Sequence, residues 1–194
     1  MSVINAAVIG YGLAGSVFHA PIINSTEGFH LKTIYTTSSE RMRRVGSLYP
    51  GTAVTTGVDE IFRDDAIELV VVAALNDCHF DLAEQAILAG KNVVVDKPFT
   101  IESKGADKLI ELAQKKNVML SVFQNRRWDG DFRTVKKVVE SGMLGSLVEF
   151  ESHWDKFRSY SKDNWREADA PGSGLWYDLG PHMIDQALTL FGLP

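Results

Sequence analysis

Apolar and polar residues alternate in blocks between residues 3 and 123. Short apolar runs at 3–9, 68–73 and 92–95 predict buried strands, and stripes with the period of a helix at 79–89 and 102–116 predict amphipathic helices. The remaining predicted strands are 31–35, 53–55 and 118–123, and the remaining predicted helices are 14–24, a short one that opens at Ser39, and one from 59 to 62. Because strands and helices alternate and the strands are apolar on both faces, the pattern predicts a doubly wound parallel sheet.

The pattern changes after residue 124. It predicts a helix at 131–141, a long strand at 147–153, a polar loop at 159–174 and a helix at 181–190 that ends at Gly192. Pro181 either opens that last helix or kinks one that began earlier. We therefore predict an α/β chain in two parts, with a complete domain at 1–124 and the incomplete start of a second α/β domain at 125–194.

The composition restricts the class of protein. The chain has 194 residues, of which 45% are hydrophobic and 23% charged, a balance typical of a soluble globular protein. Its formal net charge of -5 has the wrong sign for a dedicated nucleic-acid binder. The single cysteine, Cys78, excludes an internal disulfide and a cysteine-rich zinc site. Since no apolar run could span a membrane and the N-terminus lacks a signal-peptide pattern, we expect a cytoplasmic protein without membrane or nucleic-acid partners.

A glycine-rich turn follows the first predicted strand. Residues 10–15, Gly-Tyr-Gly-Leu-Ala-Gly, match the pattern G-x-G-x-x-G directly before the first predicted helix. There the first glycine permits a tight turn, the second lets the backbone approach a pyrophosphate, and the third lets helix and strand pack closely. The motif predicts a dinucleotide-binding domain of Rossmann type, and the alternative is a purely structural turn. The expected cofactor contacts in this turn are Gly10, Gly12, Leu13, Ala14 and Gly15.

The residues after the second predicted strand bear on the choice between NAD and NADP. An NAD site usually has an acidic residue at the end of this strand, where it binds the ribose 2′-hydroxyl. Here Tyr35 is followed by two threonines and then by Ser38, Ser39 and Arg41, which suit a 2′-phosphate better. The sequence therefore favours NADP over NAD, unless the arginine belongs only to a solvated helix face.

Two further segments carry groups that can move a proton. Lys97, in Asp-Lys-Pro, follows the fifth predicted strand and so lies at the carboxyl edge of the sheet, where ligands of open α/β folds bind. Asp178 and His182 are four residues apart and share one face of a helix. A lysine can orient a substrate hydroxyl, and a histidine beside a carboxylate is a natural acid or base. The alternatives are a surface lysine and a hydrogen-bonded core histidine. The other histidines lack metal-ligand spacing, so we expect no metal site.

Taken in order, the glycine turn, Asp96-Lys-Pro and Asp178-Leu-Gly-Pro-His resemble the motifs of the Gfo/Idh/MocA family, the glucose–fructose oxidoreductases and inositol dehydrogenases. The resemblance covers essentially the whole chain. The stretches 94–99, 121–129, 164–167 and 172–182 are similar to the NADP-dependent scyllo-inositol dehydrogenase branch. The resemblance implies a Rossmann domain followed by a substrate domain, and an enzyme that moves a hydride between NAD(P) and a secondary hydroxyl of a polyol or sugar.

The resemblance also implies roles for individual residues. Three catalytic residues would bind the alcohol and move its proton: Lys97, Asp178 and His182. Further positions that would contact the cofactor are Asn76, His79, Lys97 and Asn125. Further positions that would approach the sugar are Trp165 and Arg166. One departure from the family pattern is Asp96, where glutamate is commoner, and this change keeps the charge.

Two interpretations compete with the enzyme. One is a regulator that binds a dinucleotide without turnover, and the other is an inactive truncated remnant. The joint presence of Lys97, Asp178 and His182 favours the enzyme, because a sensor needs only the glycine loop. Family members are longer and associate through their second sheet, so we expect this chain to be a fragment or a truncated product and the full-length form to be a homo-oligomer.

Overall fold

The structure is a computed structural model that describes residues 3–160 and 167–194. The chain divides into two compact units, Met1–Phe123 and Gln124–Pro194, and each is described by itself. None of the helices within the described ranges is long and apolar enough to cross a membrane.

Parallel strands form the centre of the first unit. They are β1 (Ile4–Ile9), β2 (Phe29–Tyr35), β3 (Ala53–Thr55), β4 (Leu69–Val72), β5 (Asn92–Val95) and β6 (Leu120–Val122). Their order across the sheet is β3-β2-β1-β4-β5-β6, and the neighbouring strands are parallel. The order reverses between β1 and β4, the switch point at which open α/β sheets bind ligands. This topology confirms the predicted doubly wound sheet of Rossmann type.

Helices cover both faces of this sheet. A π-helical turn (Gly15–His19) leads into α1 (Ala20–Ser25), and the other elements are α2 (Ser39–Leu48), α3 (Val58–Arg63), a 3-10 turn (Asn76–Cys78), α4 (His79–Leu88) and α5 (Ser103–Lys116). Successive residues of a strand point to opposite faces. Strand β1 therefore contributes Ala6 and Val8 to the core beside α1 and α2, and Ala7 and Ile9 to the core beside α3, α4 and α5. Two covered faces explain why the strands are continuous apolar runs in the sequence.

Pro21 falls inside the helix predicted at 14–24, where a proline is expected to bend the helix or end it early. Pro21 occupies one of the first two positions of α1, where a residue without an amide hydrogen is tolerated. In the preceding π-helical turn the Ala20 N–H donates to the Gly15 carbonyl. The helix then continues to Ser25, so the irregularity is a wider turn ahead of the proline and not an early end.

The described part of the second unit, 124–160 and 167–194, is mainly helical. Its elements are a 3-10 turn (Asn125–Trp128), α6 (Gly130–Glu140) and α7 (Gly174–Phe191). The Arg127 guanidinium joins the turn to α7 through two hydrogen bonds to the Asp185 carboxylate, at 2.7 Å from Nε and 2.6 Å from Nη2. These hydrogen bonds raise the pKa of Arg127. Pro181 lies inside α7, which settles the two alternatives for this proline: the helix began earlier.

The strand predicted at 147–153 does not form. The backbone there is irregular and largely exposed, and the Val148 side chain is 96% accessible. A strand needs a hydrogen-bonded neighbour, and the described residues of the second unit contain none that could pair with this segment. The alternation of apolar residues indicates only that the local sequence favours an extended conformation. Whether a strand forms depends on a pairing partner that can be far away in the sequence.

Candidate functional site

The glycine turn lies at the switch point, between β1 and the π-helical turn. Gly10 has a φ of +101°, which residues with a Cβ rarely adopt, and its N–H donates to the Tyr35 carbonyl at 3.1 Å. A Cβ at Gly10 would collide with the Ala73 carbonyl, and a Cβ at Gly15 would collide with the Gly10 carbonyl. A Cβ at Gly12, in contrast, would meet no atom within 4 Å. The turn is therefore closely packed on its inner side and open at Gly12.

The open side of this turn fits the pyrophosphate of a dinucleotide. Beside Gly12, the Leu13 side chain is 67% exposed and Ala14 is half-buried. The Ser16 N–H donates to the Gly12 carbonyl at 3.0 Å, so helical winding begins inside the turn. The amides of a first helical turn and the positive end of the helix dipole are the groups that hold phosphate oxygens. Tyr11 anchors the turn to the core, and burial together with the neighbouring Tyr49 phenol raises the pKa of Tyr11.

The turn after β2 stands next to the glycine turn, because Tyr35 of β2 is in register with Ile9 of β1. The Ser38 hydroxyl accepts a hydrogen bond from the Arg41 N–H at 3.4 Å and so caps α2. Ser39 and Arg41 are exposed in the first turn of that helix. A hydroxyl and a guanidinium at a helix N-terminus are suitable groups for a phosphate monoester.

Lys97 follows β5 at the same edge of the sheet. The Asp96 N–H continues the ladder by donating to the Val72 carbonyl at 2.8 Å. The Asp96 carboxylate then accepts the Lys97 N–H through Oδ1 at 2.7 Å. The Lys97 side chain is half-buried, and Pro98 behind it is buried. The backbone around the lysine is thus fixed on both of its flanks.

Asn76 and His79 come from the segment after β4. Asn76 begins the 3-10 turn and is 8% exposed. His79 begins α4 and is 1% exposed, with its Nδ1 2.7 Å from the Pro98 carbonyl oxygen and its Nε2 3.3 Å from the Ala74 carbonyl oxygen. The family resemblance assigned His79 only to a contact with the cofactor. In the structure its ring also contacts the backbone next to Lys97, at the Pro98 carbonyl.

In the second unit, Asp178 and His182 both lie on α7, one helical turn apart. The His182 side chain is 5% exposed, and its ring centroid is 5.9 Å from that of Trp154. The Arg126 guanidinium lies over the Trp154 ring at 4.4 Å. Asn125 begins the 3-10 turn and is half-buried. Trp165 and Arg166 lie outside the described residues.

The structure gathers the predicted residues of the first unit at the carboxyl ends of β1, β2, β4 and β5. Sequence reasoning missed two residues, which are His19, buried beside Asp96, and Trp154, which packs between Arg126 and His182. A hint for His19 was its place near the start of the helix that follows the glycine turn. Trp154 had no local signal. Within 3–160 and 167–194, no group of three or more His, Cys, Asp or Glu side chains could hold a metal ion.

Comparison with known proteins places these features in a family. Residues 4–124 match the oxidoreductase family with an NAD-binding Rossmann fold, and residues 132–194 match the GFO/IDH/MocA C-terminal domain. The uncharacterized oxidoreductase YdgJ of Escherichia coli is 49% identical over 98% of this chain and 54% of its own length. The scyllo-inositol 2-dehydrogenase (NADP(+)) IolW of Bacillus subtilis is 38% identical over 98% of this chain and 52% of its own length.

The solved structure of YPO2259 from Yersinia pestis superposes with a TM-score of 0.90 at 44% identity, and it covers 100% of this chain and 54% of that one. The chain thus spans about half the length of the curated relatives it matches. The matches to both family domains and the identity to these relatives show that the chain belongs to the Gfo/Idh/MocA family of NAD(P)-binding oxidoreductases.

Proposed function

We propose that this chain binds NADP(H) and supplies the proton-transferring residues of a dehydrogenase that acts on a secondary hydroxyl of an inositol-like polyol or sugar. The observation that carries the proposal is the glycine cradle, open at Gly12, on the same sheet edge as the fixed Lys97 backbone. The similarity to the inositol dehydrogenase IolW supports the substrate class. In this proposal residues 1–124 form the cofactor domain and residues 125–194 the first part of the substrate domain.

The proposed nucleotide is NADP rather than NAD. Its pyrophosphate would lie against the amides of the 10–15 turn, and its 2′-phosphate would lie at the N-terminus of α2, beside Ser38, Ser39 and Arg41. The four residues between Tyr35 and Glu40 include no acid that would favour the free 2′-hydroxyl of NAD. When bound, the nicotinamide supplies the hydride acceptor, and the protein contributes orientation and the acid or base.

The proposed chemistry of the protein is the transfer of one proton. The imidazole of His182 takes the proton of the substrate hydroxyl, and the Asp178 carboxylate, one turn away on α7, favours the charged imidazolium. The proposed role of Lys97 is to donate a hydrogen bond to the substrate and so orient it. By the same resemblance, Asn76, His79 and Asn125 would lie near the nicotinamide ribose, and Trp165 and Arg166 would approach the sugar. The compartment that fits a single cysteine is the reducing cytoplasm, and we propose a homo-oligomer for the full-length form.

The test uses the product of the complete reading frame that contains these residues. A panel of inositols, other polyols and aldoses is screened with NADP⁺ and NAD⁺, and nucleotide reduction is followed by absorbance. The proposal expects turnover with an inositol-like polyol and a preference for NADP⁺. A protein that binds NADPH but reduces neither nucleotide with any polyol or sugar would point to the regulator instead.

A further inference from the structure

We infer that two buried histidines, His19 and His79, are positioning residues that together hold the backbone on either side of Lys97. The inference rests on the proposed function, because it gives Lys97 a role in orienting the substrate. It concerns a pair of contacts to Asp96 and Pro98, the residues that flank the lysine. We refer to His19, Asp96, Pro98 and His79 as the histidine clamp.

His19 acts on the residue before the lysine. It is the last residue of the π-helical turn that follows the glycine turn, and its side chain is 4% exposed. Its ring packs on Phe123 with 4.3 Å between centroids, and this contact fixes the plane of the imidazole. The Nε2 atom is buried without a hydrogen bond and lies 3.7 Å from Asp96 Oδ2. With a proton on Nε2, the ring directs an N–H at that carboxylate in a site that is shielded from water.

Asp96 passes this contact on to Lys97. The carboxylate is bifunctional, because Oδ1 accepts the Lys97 N–H at 2.7 Å while Oδ2 faces His19. Any rotation of the carboxylate away from His19 therefore changes the hydrogen bond that orients the Lys97 peptide. The arrangement also links two parts of the site, since His19 stands on the helix that opens at the glycine turn. Through His19 and Asp96, the turn that would hold the nucleotide is linked to Lys97, the lysine proposed to orient the substrate.

His79 acts on the residue after the lysine. A carbonyl oxygen can only accept, so the 2.7 Å contact requires that His79 Nδ1 carries a proton and donates it to Pro98 O. A neutral imidazole carries one N–H, so the other ring nitrogen, 3.3 Å from the Ala74 carbonyl oxygen just beyond β4, donates no second hydrogen bond. The side chain is 1% exposed. Since His79 is the first residue of α4, its hydrogen bond to Pro98 ties the loop after β5 to the start of that helix.

Placement matters here because Lys97 stands beyond the sheet. Strand β5 ends at Val95, and the ladder continues only through the Asp96 N–H to Val72. A misplacement of about 1 Å at a catalytic group can reduce a rate by about 10²-fold. The clamp supplies contacts on both flanks of the lysine at the point where the ladder stops.

The experiment replaces each histidine with glutamine or asparagine, whose amide nitrogen either keeps the hydrogen-bond donor at the position of the histidine N–H or moves it away. Glutamine places its nitrogen where the histidine Nε2 was, and asparagine places it where Nδ1 was. His19→Gln and His79→Asn are therefore the matched variants, and His19→Asn and His79→Gln are the mismatched controls of the same polarity. The first readout is NMR hydrogen exchange of the Lys97 amide in the isolated chain, with the amides of Val93 and Val94 in β5 as the measure of global stability.

We expect the Lys97 amide to exchange at least tenfold faster in each mismatched variant, relative to the β5 amides, and within threefold of wild type in each matched variant. The ¹⁵N shifts of the His79 ring should show the proton on Nδ1. Equal Lys97 exchange in matched and mismatched variants would refute the clamp, and so would a His79 ring that is protonated only at Nε2. This readout needs neither substrate nor turnover, so it is independent of the proposed function.

The second readout is turnover of the complete reading-frame product. The mismatched variants should lower kcat at least tenfold and leave the KM for NADP⁺ within threefold. If they loosen the Lys97 amide but leave kcat unchanged, while Lys97→Ala abolishes turnover, the positioning role is wrong and the proposed function stands. If Lys97→Ala is itself fully active, the proposed role of the lysine is wrong. The turnover measurement then also contradicts the inference that the histidines act by positioning this lysine.

Discussion

The two units of the chain bury their apolar side chains to very different degrees. In the first unit, two cores on opposite faces of the sheet enclose aliphatic side chains from every strand and helix layer. Among the described residues of the second unit, Phe132 is the one apolar side chain of the buried core, while Val148, Phe157 and Leu193 are more than 80% exposed, at 96%, 91% and 86%. A specific polar contact within the second unit is the Arg127–Asp185 pair.

This difference separates two groups of candidate functional residues. The glycine turn and Lys97 directly follow strands whose positions are fixed by the sheet, and the proposed histidine clamp would support the lysine further. Asp178 and His182 are on a helix of the unit that has little apolar burial of its own. Exposed apolar surface of this extent favours association with further protein. The first unit should therefore keep its properties in isolation, whereas the second should depend on what covers it.

The largest expected effect is on turnover, which draws on both units. In the complete reading-frame product, Lys97→Ala and His182→Ala should each reduce kcat by about 10²–10⁴-fold, the usual contribution of acid–base catalysis. NADP⁺ affinity should change little, since neither residue belongs to the glycine cradle. Steady-state kinetics and nucleotide titration measure the two quantities separately. Rates within tenfold of wild type for both variants would reject the assigned roles.

Core substitutions sharpen the comparison of the two units. Ile87→Ala removes a fully buried side chain of α4 and should cost about 2–5 kcal/mol, from lost burial and the cavity left behind. Leu193→Ala is the matched change at an exposed site of the second unit and should stay within about 0.5 kcal/mol. Urea unfolding followed by circular dichroism gives both values. A loss at Leu193 as large as the loss at Ile87 would mean that Leu193 is covered in solution and would contradict its exposure in the structure.

The third prediction concerns the affinities for NADPH and NADH, which depend on residues of the first unit alone. Arg41→Ala should weaken NADPH binding by roughly ten- to hundredfold, or about 1.5–3 kcal/mol for a lost charged hydrogen bond, and leave NADH binding unchanged. Arg43→Ala, another exposed arginine on the same helix, is the control and should have little effect. Fluorescence titration of the isolated chain measures all three proteins. Equal affinity of the wild-type chain for NADPH and NADH would remove the basis of the preference.

The smallest effect concerns pH. The Lys32 ammonium, 3.0 Å from Asp64, holds the pKa of that carboxyl below its ordinary value. A depressed folded-state pKa stabilises the fold above the unfolded-state pKa, and this contribution is lost as the pH falls through the folded-state value. Both side chains are about one third exposed, at 30% and 32%, so solvent screening keeps the contribution below about 1 kcal/mol.

Lys32→Met should therefore be slightly less stable than wild type at pH 6, and the difference should vanish under strongly acidic conditions. Urea midpoints at the two pH values measure it, and a ¹³C titration of the Asp64 carboxyl should show its pKa rise in the variant. A stability difference that grows as the pH falls would have the wrong sign for this pair.

Local signals predicted the first unit well. The run at 92–95 ends at a polar residue on each side, and it is the strand β5 (Asn92–Val95) that the structure shows. The prediction of a strand at 147–153 was wrong, because strand pairing depends on a partner strand that the local sequence does not reveal. Helix α7 begins at Gly174 and contains Pro181, which is the second of the two alternatives that the sequence left open for this proline. His19 and Trp154 escaped notice because their partners are distant in sequence.

The most direct test of this account is hydrogen exchange of the isolated chain with and without NADPH. NADPH should increase protection in the segments 10–19, 36–41 and 96–98, which carry the cradle, the α2 N-terminus and the Lys97 loop. The segment 147–153 should stay weakly protected in any monomer, and sedimentation should show self-association at higher concentration. A stable monomer with 147–153 fully protected, or NADPH protection absent from the first unit, would contradict the division between a self-contained cofactor unit and a second unit that needs a cover.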